Sequence, residues 1–111
     1  MEKRVETAWL LDFYGPLLTE RQQALLRLYC EEDLSLAEIA AQEGVSRQAV
    51  HDAVRRGDQQ LRAYEGQMGL LGRYRRLADG LRRCQAELSL PEPSLSTVRD
   101  LLADLLAEEE S

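Results

Sequence analysis

The side chains best placed to do chemistry in this sequence are Arg47, Gln48, His51 and Arg55. On a helix advancing about 100° per residue, with Arg47 at zero, His51 lies at about 40°, Arg55 at about 80° and Gln48 at about 100°. Val50, Ala53 and Leu61 fall on the opposite side, so the four polar residues share one outward face. Arginine pairs bidentately with guanine and glutamine with adenine, while Ser46 and Arg56 at the flanks are suited to phosphate. This is the chemistry of recognition rather than of bond-making. His51 is the only histidine and has no nucleophile beside it. The chain has no glycine-rich phosphate loop. Cys30 and Cys84 are the only cysteines and form no CxxC pair, which leaves too few ligands for a structural zinc site. Both are expected to be buried, reduced thiols. No catalytic residue, metal or cofactor is expected.

A second basic set comprises Arg73, Arg75, Arg76, Arg82 and Arg83. These residues flank or oppose a leucine row and should be exposed. Arg75, Arg76, Arg82 and Arg83 are candidates for phosphate or RNA contact, with a merely solubilising face as the alternative. The net charge of −6 by itself opposes nucleic acid, but it is unevenly spread. Residues 1–66 carry −4, residues 67–90 carry +3 and residues 91–111 carry −5. Local basic surface can bind phosphate on an acidic chain, because charges beyond about 10 Å are screened at moderate salt.

The elements that must position these residues are all helical, with neither strand-like alternation nor an internal repeat. Val5, Trp9, Leu10 and Phe13 recur at helical spacing until Gly15-Pro16. Thr19 with Gln22, and Ser35 with Glu38, form capping boxes for a second and a third helix. Gly44 stops the third. Ser46 caps a fourth helix running to about Tyr64, and Gly66 and Gly69 mark a break. Leu70, Tyr74, Leu77, Leu81, Cys84 and Leu88 form a coiled-coil-like seam on a long fifth helix. That seam must pack on the body of the domain, on a second copy or on the last helix; a homodimer is the preferred expectation. Pro91 and Pro93 end it. Ser94 or Ser96 caps a final helix, and Glu108-Glu109-Glu110 reads as a solvated, frayed tail. The expected fold is therefore all-α: a helix-turn-helix bundle of four short helices, then a long fifth helix and a C-terminal helix. The expected divisions are a helix-turn-helix domain over 1–66, a long basic helix over 67–90, and a C-terminal helix with acidic tail over 91–111.

The stretch from Leu36 to Arg56 carries the helix-turn-helix. Ala40 is small where two helices approach, and Gly44 supplies the positive φ of the turn. Ile39, Val45, Val50 and Ala53 are expected in the core between the helices. Glu43 stands where such motifs carry an apolar side chain, so either its carboxylate reaches the surface or the third helix is rotated. Residues 34–40 followed by 44–50 resemble the C-terminal helix-turn-helix of bacterial sigma factors. The wider context resembles the YlxM family over about residues 8–88. The residues that carry this are Leu11 to Thr19, Tyr29 before the acidic run, Gly44-Val45-Ser46-Arg47-Gln48-Ala49-Val50, and Tyr64-Glu65 with Leu70-Leu71.

That resemblance implies an all-helical protein acting in, or regulating, the signal recognition particle pathway. Binding to the particle's RNA or to its GTPase protein would be consistent with it. It supplies no catalytic residues, and sigma-like contacts carry over only to Arg47, Gln48 and His51. The leading expectation is a nucleic-acid-binding accessory factor. The alternatives are a sequence-specific duplex-DNA regulator and a protein-interaction module that uses the helix-turn-helix as scaffold. No run is long and apolar enough for a membrane span. The N-terminus, Met1-Glu2-Lys3-Arg4 leading to an apolar run broken by Asp12, does not read as a signal peptide, so a cytoplasmic location is expected.

Overall fold

The computed structural model describes residues 3–111; Met1 and Glu2, which enter the reading of the N-terminus, lie outside them. The elements are α1 (Lys3–Tyr14), a 3-10 turn (Gly15–Leu17), α2 (Glu20–Cys30), α3 (Leu36–Glu43), α4 (Arg47–Met68), α5 (Leu70–Leu88) and α6 (Leu95–Glu110). The protein is all-α, as its periodicity predicts.

The helix ends follow local chemistry. The Thr19 hydroxyl accepts the Gln22 amide at 3.2 Å, and the Gln22 side chain accepts the Thr19 amide at 3.4 Å. The Ser35 and Glu38 pair does the same, at 3.1 Å each way. The Ser35 backbone and hydroxyl thereby hold the Glu38 carboxyl below the usual carboxylate range. Ser94, not Ser96, caps α6. Gly44 takes φ 66° and closes α3, and Gly69 takes φ 65° and closes α4. Gly66 is passed over: α4 runs to Met68 rather than stopping near Tyr64. One solvated mid-helix glycine costs only about 1 kcal/mol, which the packing of Leu61 and Tyr64 around it outweighs.

The chain forms two compact units, residues 1–71 and 72–111. In the first, Leu10, Leu11, Tyr14, Leu18, Leu26, Leu61 and Leu71 make one buried cluster. Leu25, Ile39, Ala40 and Val50 make another, and Val54 packs against both. A Cβ at Gly57 would sit 2.7 Å from Leu26 Cδ1, so the bare backbone there lets α2 close on α4. Val45 is expected inside but is exposed. Its amide bonds the Ala40 carbonyl at 3.1 Å, which ties the turn to α3 while Ile39 and Val50 fill the space between the helices.

In the second unit, α6 packs on α5 through a notch at Gly80, where a Cβ would lie 2.8 Å from Leu105 Cγ. Because Gly80 lies to one side of the expected seam, α6 covers only part of it. Cys84 is buried and Leu77 half-buried, whereas Tyr74, Leu81 and Leu88 stay 41%, 47% and 51% exposed. The acidic end is not frayed: α6 continues to Glu110, and Glu109 pairs with Arg73. Cys30, expected to be buried, is half-buried, and desolvation pushes its thiol up to about 11.

Three glycines separate strain from crowding. Gly44→Val should cost about 1–2 kcal/mol from backbone strain alone, since nothing surrounds its Cβ position. Gly57→Ala should cost about 1–3 kcal/mol by overpacking against Leu26. Gly66→Ala, in open space within a helix, should stabilise by about 0.5–1 kcal/mol. Denaturant midpoints in that order check the assignment; an unchanged Gly44→Val midpoint would contradict the turn.

Candidate nucleic-acid interface

The open face of α4 begins where the turn releases the chain. Ser46 is extended, with φ −73° and ψ 154°, and its hydroxyl oxygen accepts the Ala49 amide at 3.0 Å. Its own proton remains available to donate outward, as a phosphate contact needs. Val50, directly inside the first turn, is fully buried and fixes the rotation of α4. Arg47, Gln48, His51, Arg55 and Arg56 are all exposed. The sequence places Arg47, Gln48, His51 and Arg55 on one face, and the structure leaves that face open. Glu43 reaches the surface, 3.8 Å from Arg21, so no rotation of α3 is needed to accommodate it.

Asp52 is part of this face, although the base-pairing logic gives no reason to count it. The Gln48 Nε2 donates to Asp52 Oδ1 at 2.9 Å, and His51 Nδ1 lies 3.4 Å from the same oxygen. His51 first, and Gln48 second, hold the Asp52 carboxyl below its ordinary range. The carboxylate thus gathers the Gln48 and His51 side chains at one oxygen.

Farther along α4 the same angular sector is covered by α1. Asp58 is buried and accepts the Thr7 hydroxyl at 2.6 Å and Arg62 Nε at 3.0 Å; Arg62 also donates to Glu6 at 2.7 Å. These bonds, Asp58 first, raise the Arg62 pKa. Where α1 meets the open part of α4, a cleft of about 300 Å³ is lined by Lys3, Tyr29, His51, Arg55 and Gln59, among others. Arg4 also borders it, but as a structural tie. It donates to the carbonyls of Tyr29 and Leu34, each at 2.8 Å, pairs with Asp33 at 3.1 Å and stacks on the Tyr29 ring. Lys3 and Gln59 therefore extend the polar face of α4. Gln59 is legible from helix phase. Lys3 is not, because its neighbours on α4 are more than forty positions away.

Arg75, Arg76, Arg82 and Arg83 are exposed on α5 in the second unit, but they do not share one face. Arg76 and Arg83 border a cleft of about 260 Å³ together with Asp79, Asp104 and Glu108. By helix phase Arg75 and Arg82 lie on the far flank. Arg73 is engaged by Glu109. Arg73, Arg76 and Arg83 are thus interleaved with carboxylates, Asp104, Glu108 and Glu109 of α6 among them. Among the described residues, no cluster of His, Cys, Asp and Glu is arranged to hold a metal ion, and no helix is long and apolar enough to cross a membrane.

Comparison with known proteins bears on this geometry. Residues 1–101 match the model of the family UPF0122, described as "Putative helix-turn-helix protein, YlxM / p13 like". A UPF0122 protein of Symbiobacterium thermophilum is 50% identical over 101 residues, covering 91% of this chain and 92% of the relative. One from Clostridium botulinum is 52% identical over 71 residues, covering 64% and 65% of the two chains. One from Lacticaseibacillus casei is 39% identical over 111 residues, covering 97% and 98%.

Two measurements test the local network. An NMR titration should place the Asp52 midpoint below that of an ordinary aspartate, and His51→Ala should move it upward, since His51 is the larger cause. The tie is fully present above the ordinary carboxylate pKa and is lost as pH falls through the depressed one. Thr7→Val leaves buried Asp58 short of a donor and should cost about 1–3 kcal/mol in urea unfolding.

Proposed function

The chain belongs to the UPF0122 family of helix-turn-helix proteins, and on that basis we propose that it is a non-enzymatic, nucleic-acid-binding accessory or regulatory protein of the signal recognition particle pathway, working in the cytoplasm. The observation that carries the binding reading is the open face of Arg47, Gln48, His51 and Arg55 on the first turns of α4. A recognition helix meets a groove with this end. Ser46 and Arg56 flank the face as phosphate contacts, and Arg75, Arg76, Arg82 and Arg83 add phosphate contacts on the second unit. The pathway itself rests on the resemblance of residues 8–88 to the YlxM family, with the particle's RNA as the preferred ligand and its GTPase protein as a further partner.

The kind of RNA contact is constrained. The A-form major groove is too deep and narrow for a helix, so α4 would meet a loop, a bulge or a widened groove, where base edges are reachable. Duplex DNA would instead accept α4 in its major groove, which is the geometry of a transcriptional regulator. The two ligands therefore predict different specificity from the same face.

Binding isotherms for the particle's RNA and for random duplex DNA, at low and moderate salt, decide between them. The parent protein should prefer the RNA. Arg47→Ala with His51→Ala should reduce that preference, each good base contact being worth about 1–3 kcal/mol. Arg76→Ala with Arg83→Ala should weaken binding evenly across ligands and flatten the salt dependence. A parent preference for particular duplex sequences would replace the RNA reading with the regulator. Binding to neither ligand would remove nucleic acid altogether and leave the interaction module.

A further inference from the structure

The cleft of about 300 Å³ between α1 and α4 has a chemistry of its own, and it lies wholly within the first unit. Exposure sorts its lining from outside to inside. Lys3, His51 and Arg55 are exposed at the mouth, Leu36 and Val54 are half-buried, and Asp58 is only 8% exposed. Among the described residues no ion pair engages Lys3 or Arg55. The mouth is therefore cationic, the walls are partly apolar, and the floor is a carboxylate. A simple anion suits the mouth but is repelled by the floor. The matching ligand carries negative charge at one end, hydrogen-bond donors at the other and a flat apolar body between. A nucleotide has that form.

We propose that this cleft takes one unstacked guanine nucleotide from a loop or bulge of RNA, with its Watson–Crick edge on the Asp58 carboxylate and its phosphates at Lys3 and Arg55. The proposal rests on the reading of α4 as a nucleic-acid-binding helix and names what that helix selects. Asp58 Oδ1 accepts the Thr7 hydroxyl at 2.6 Å, and Oδ2 accepts Arg62 Nε at 3.0 Å. These bonds fix the carboxylate's orientation. A carboxylate has about four lone-pair sites, so each oxygen can accept once more. Guanine offers two adjacent donors, N1–H and the N2 amino group, to two oxygens. Adenine, cytosine and uracil each set an acceptor beside the donor on that edge, where it would face the second oxygen.

The walls and the approach fit the same ligand. Arg4 borders the cleft with its guanidinium 3.9 Å from the Tyr29 ring centroid, and its bonds to the Tyr29 and Leu34 carbonyls hold it there. Unstacked RNA bases pack on aromatic rings and guanidinium planes of this kind. Ligand pockets run upward from about 300 Å³, so a cleft of this size suits a single nucleotide. His51 and Arg55 belong both to the open face of α4 and to the mouth. A strand lying on Arg47 and Gln48 therefore leads directly to the cleft, and Arg55 serves a phosphate there.

Fluorescence anisotropy of the full chain with hairpin RNAs that differ only in one bulged nucleotide tests the proposal. The bulged guanosine should bind about tenfold tighter than adenosine, cytidine or uridine, the effect of one hydrogen bond to a charged group. Inosine, which keeps N1–H but lacks the N2 amino group, should also lose about tenfold, and it probes Asp58 without altering the protein. Lys3→Ala with Arg55→Ala should weaken the guanosine hairpin by about tenfold or more while circular dichroism shows the helices retained, since both side chains are exposed. NMR amide shifts on adding that hairpin should include Thr7 and Asp58. Equal binding of all the bulges overturns the guanine site and leaves α4 as an RNA-binding helix. Inosine bound as tightly as guanosine overturns the Asp58 contact. A guanosine preference that survives the double variant, without shifts at Thr7 and Asp58, puts the base elsewhere and overturns the cleft. Failure to bind any of these hairpins by a protein that still binds the particle's RNA overturns the site alone. Failure to bind any RNA removes the nucleic-acid reading and the site together.

Discussion

The first unit depends on one contact, the seating of Leu26 against the bare backbone at Gly57. It brings α2 close enough to α4 for a single stripe of α4 to serve two clusters. Val50 belongs to one, Leu61 to the other, and Val54 between them touches both. A helix has one arc to commit to a core. Once Val50, Gly57 and Leu61 are buried, the rotation of α4 is fixed, and Arg47, Gln48, His51 and Arg55 have nowhere to point but outward. The outward face follows from the packing and needs no further element to hold it.

Buried polar groups then decide how far that face extends. Asp58 lies in the same angular sector as Arg47, His51 and Arg55, yet it is closed over by Thr7 and Arg62. The open sector thus ends where α1 begins, and Lys3 stands at that boundary beside Arg55 and Gln59. A second network holds the start of α5. The buried Tyr14 hydroxyl donates to Glu65 at 2.6 Å and accepts the Leu70 amide at 2.9 Å, while Glu65 accepts the Leu71 amide at 3.0 Å. Burial, and then the Glu65 bond, push the Tyr14 pKa up. Helix α5 therefore has its first amides satisfied by tertiary partners rather than by a capping residue of its own. The family-like residues Tyr14, Tyr64-Glu65 and Leu70-Leu71 are connected physically through this junction.

Much of the architecture is determined by local chemistry that a sequence displays. Thr19, Ser35 and Ser46 begin their helices because a hydroxyl satisfies a nearby amide, and Gly44 turns because glycine has no Cβ to oppose positive φ. The phase of Arg47, Gln48, His51 and Arg55 is equally local, being a matter of residue spacing on one helix. What the tertiary structure alone decided involves partners distant in the chain. The seam from Leu70 to Leu88 has one hydrophobic period, but the notch at Gly80 shifts α6 to one side and leaves Leu81 and Leu88 out. Periodicity records which residues are apolar, not where a missing Cβ lets a neighbour approach. Lys3 joins the α4 face, Glu109 reaches Arg73, and Val45 turns outward for the same reason: each placement is set by the packing of another segment, whose position no local pattern encodes.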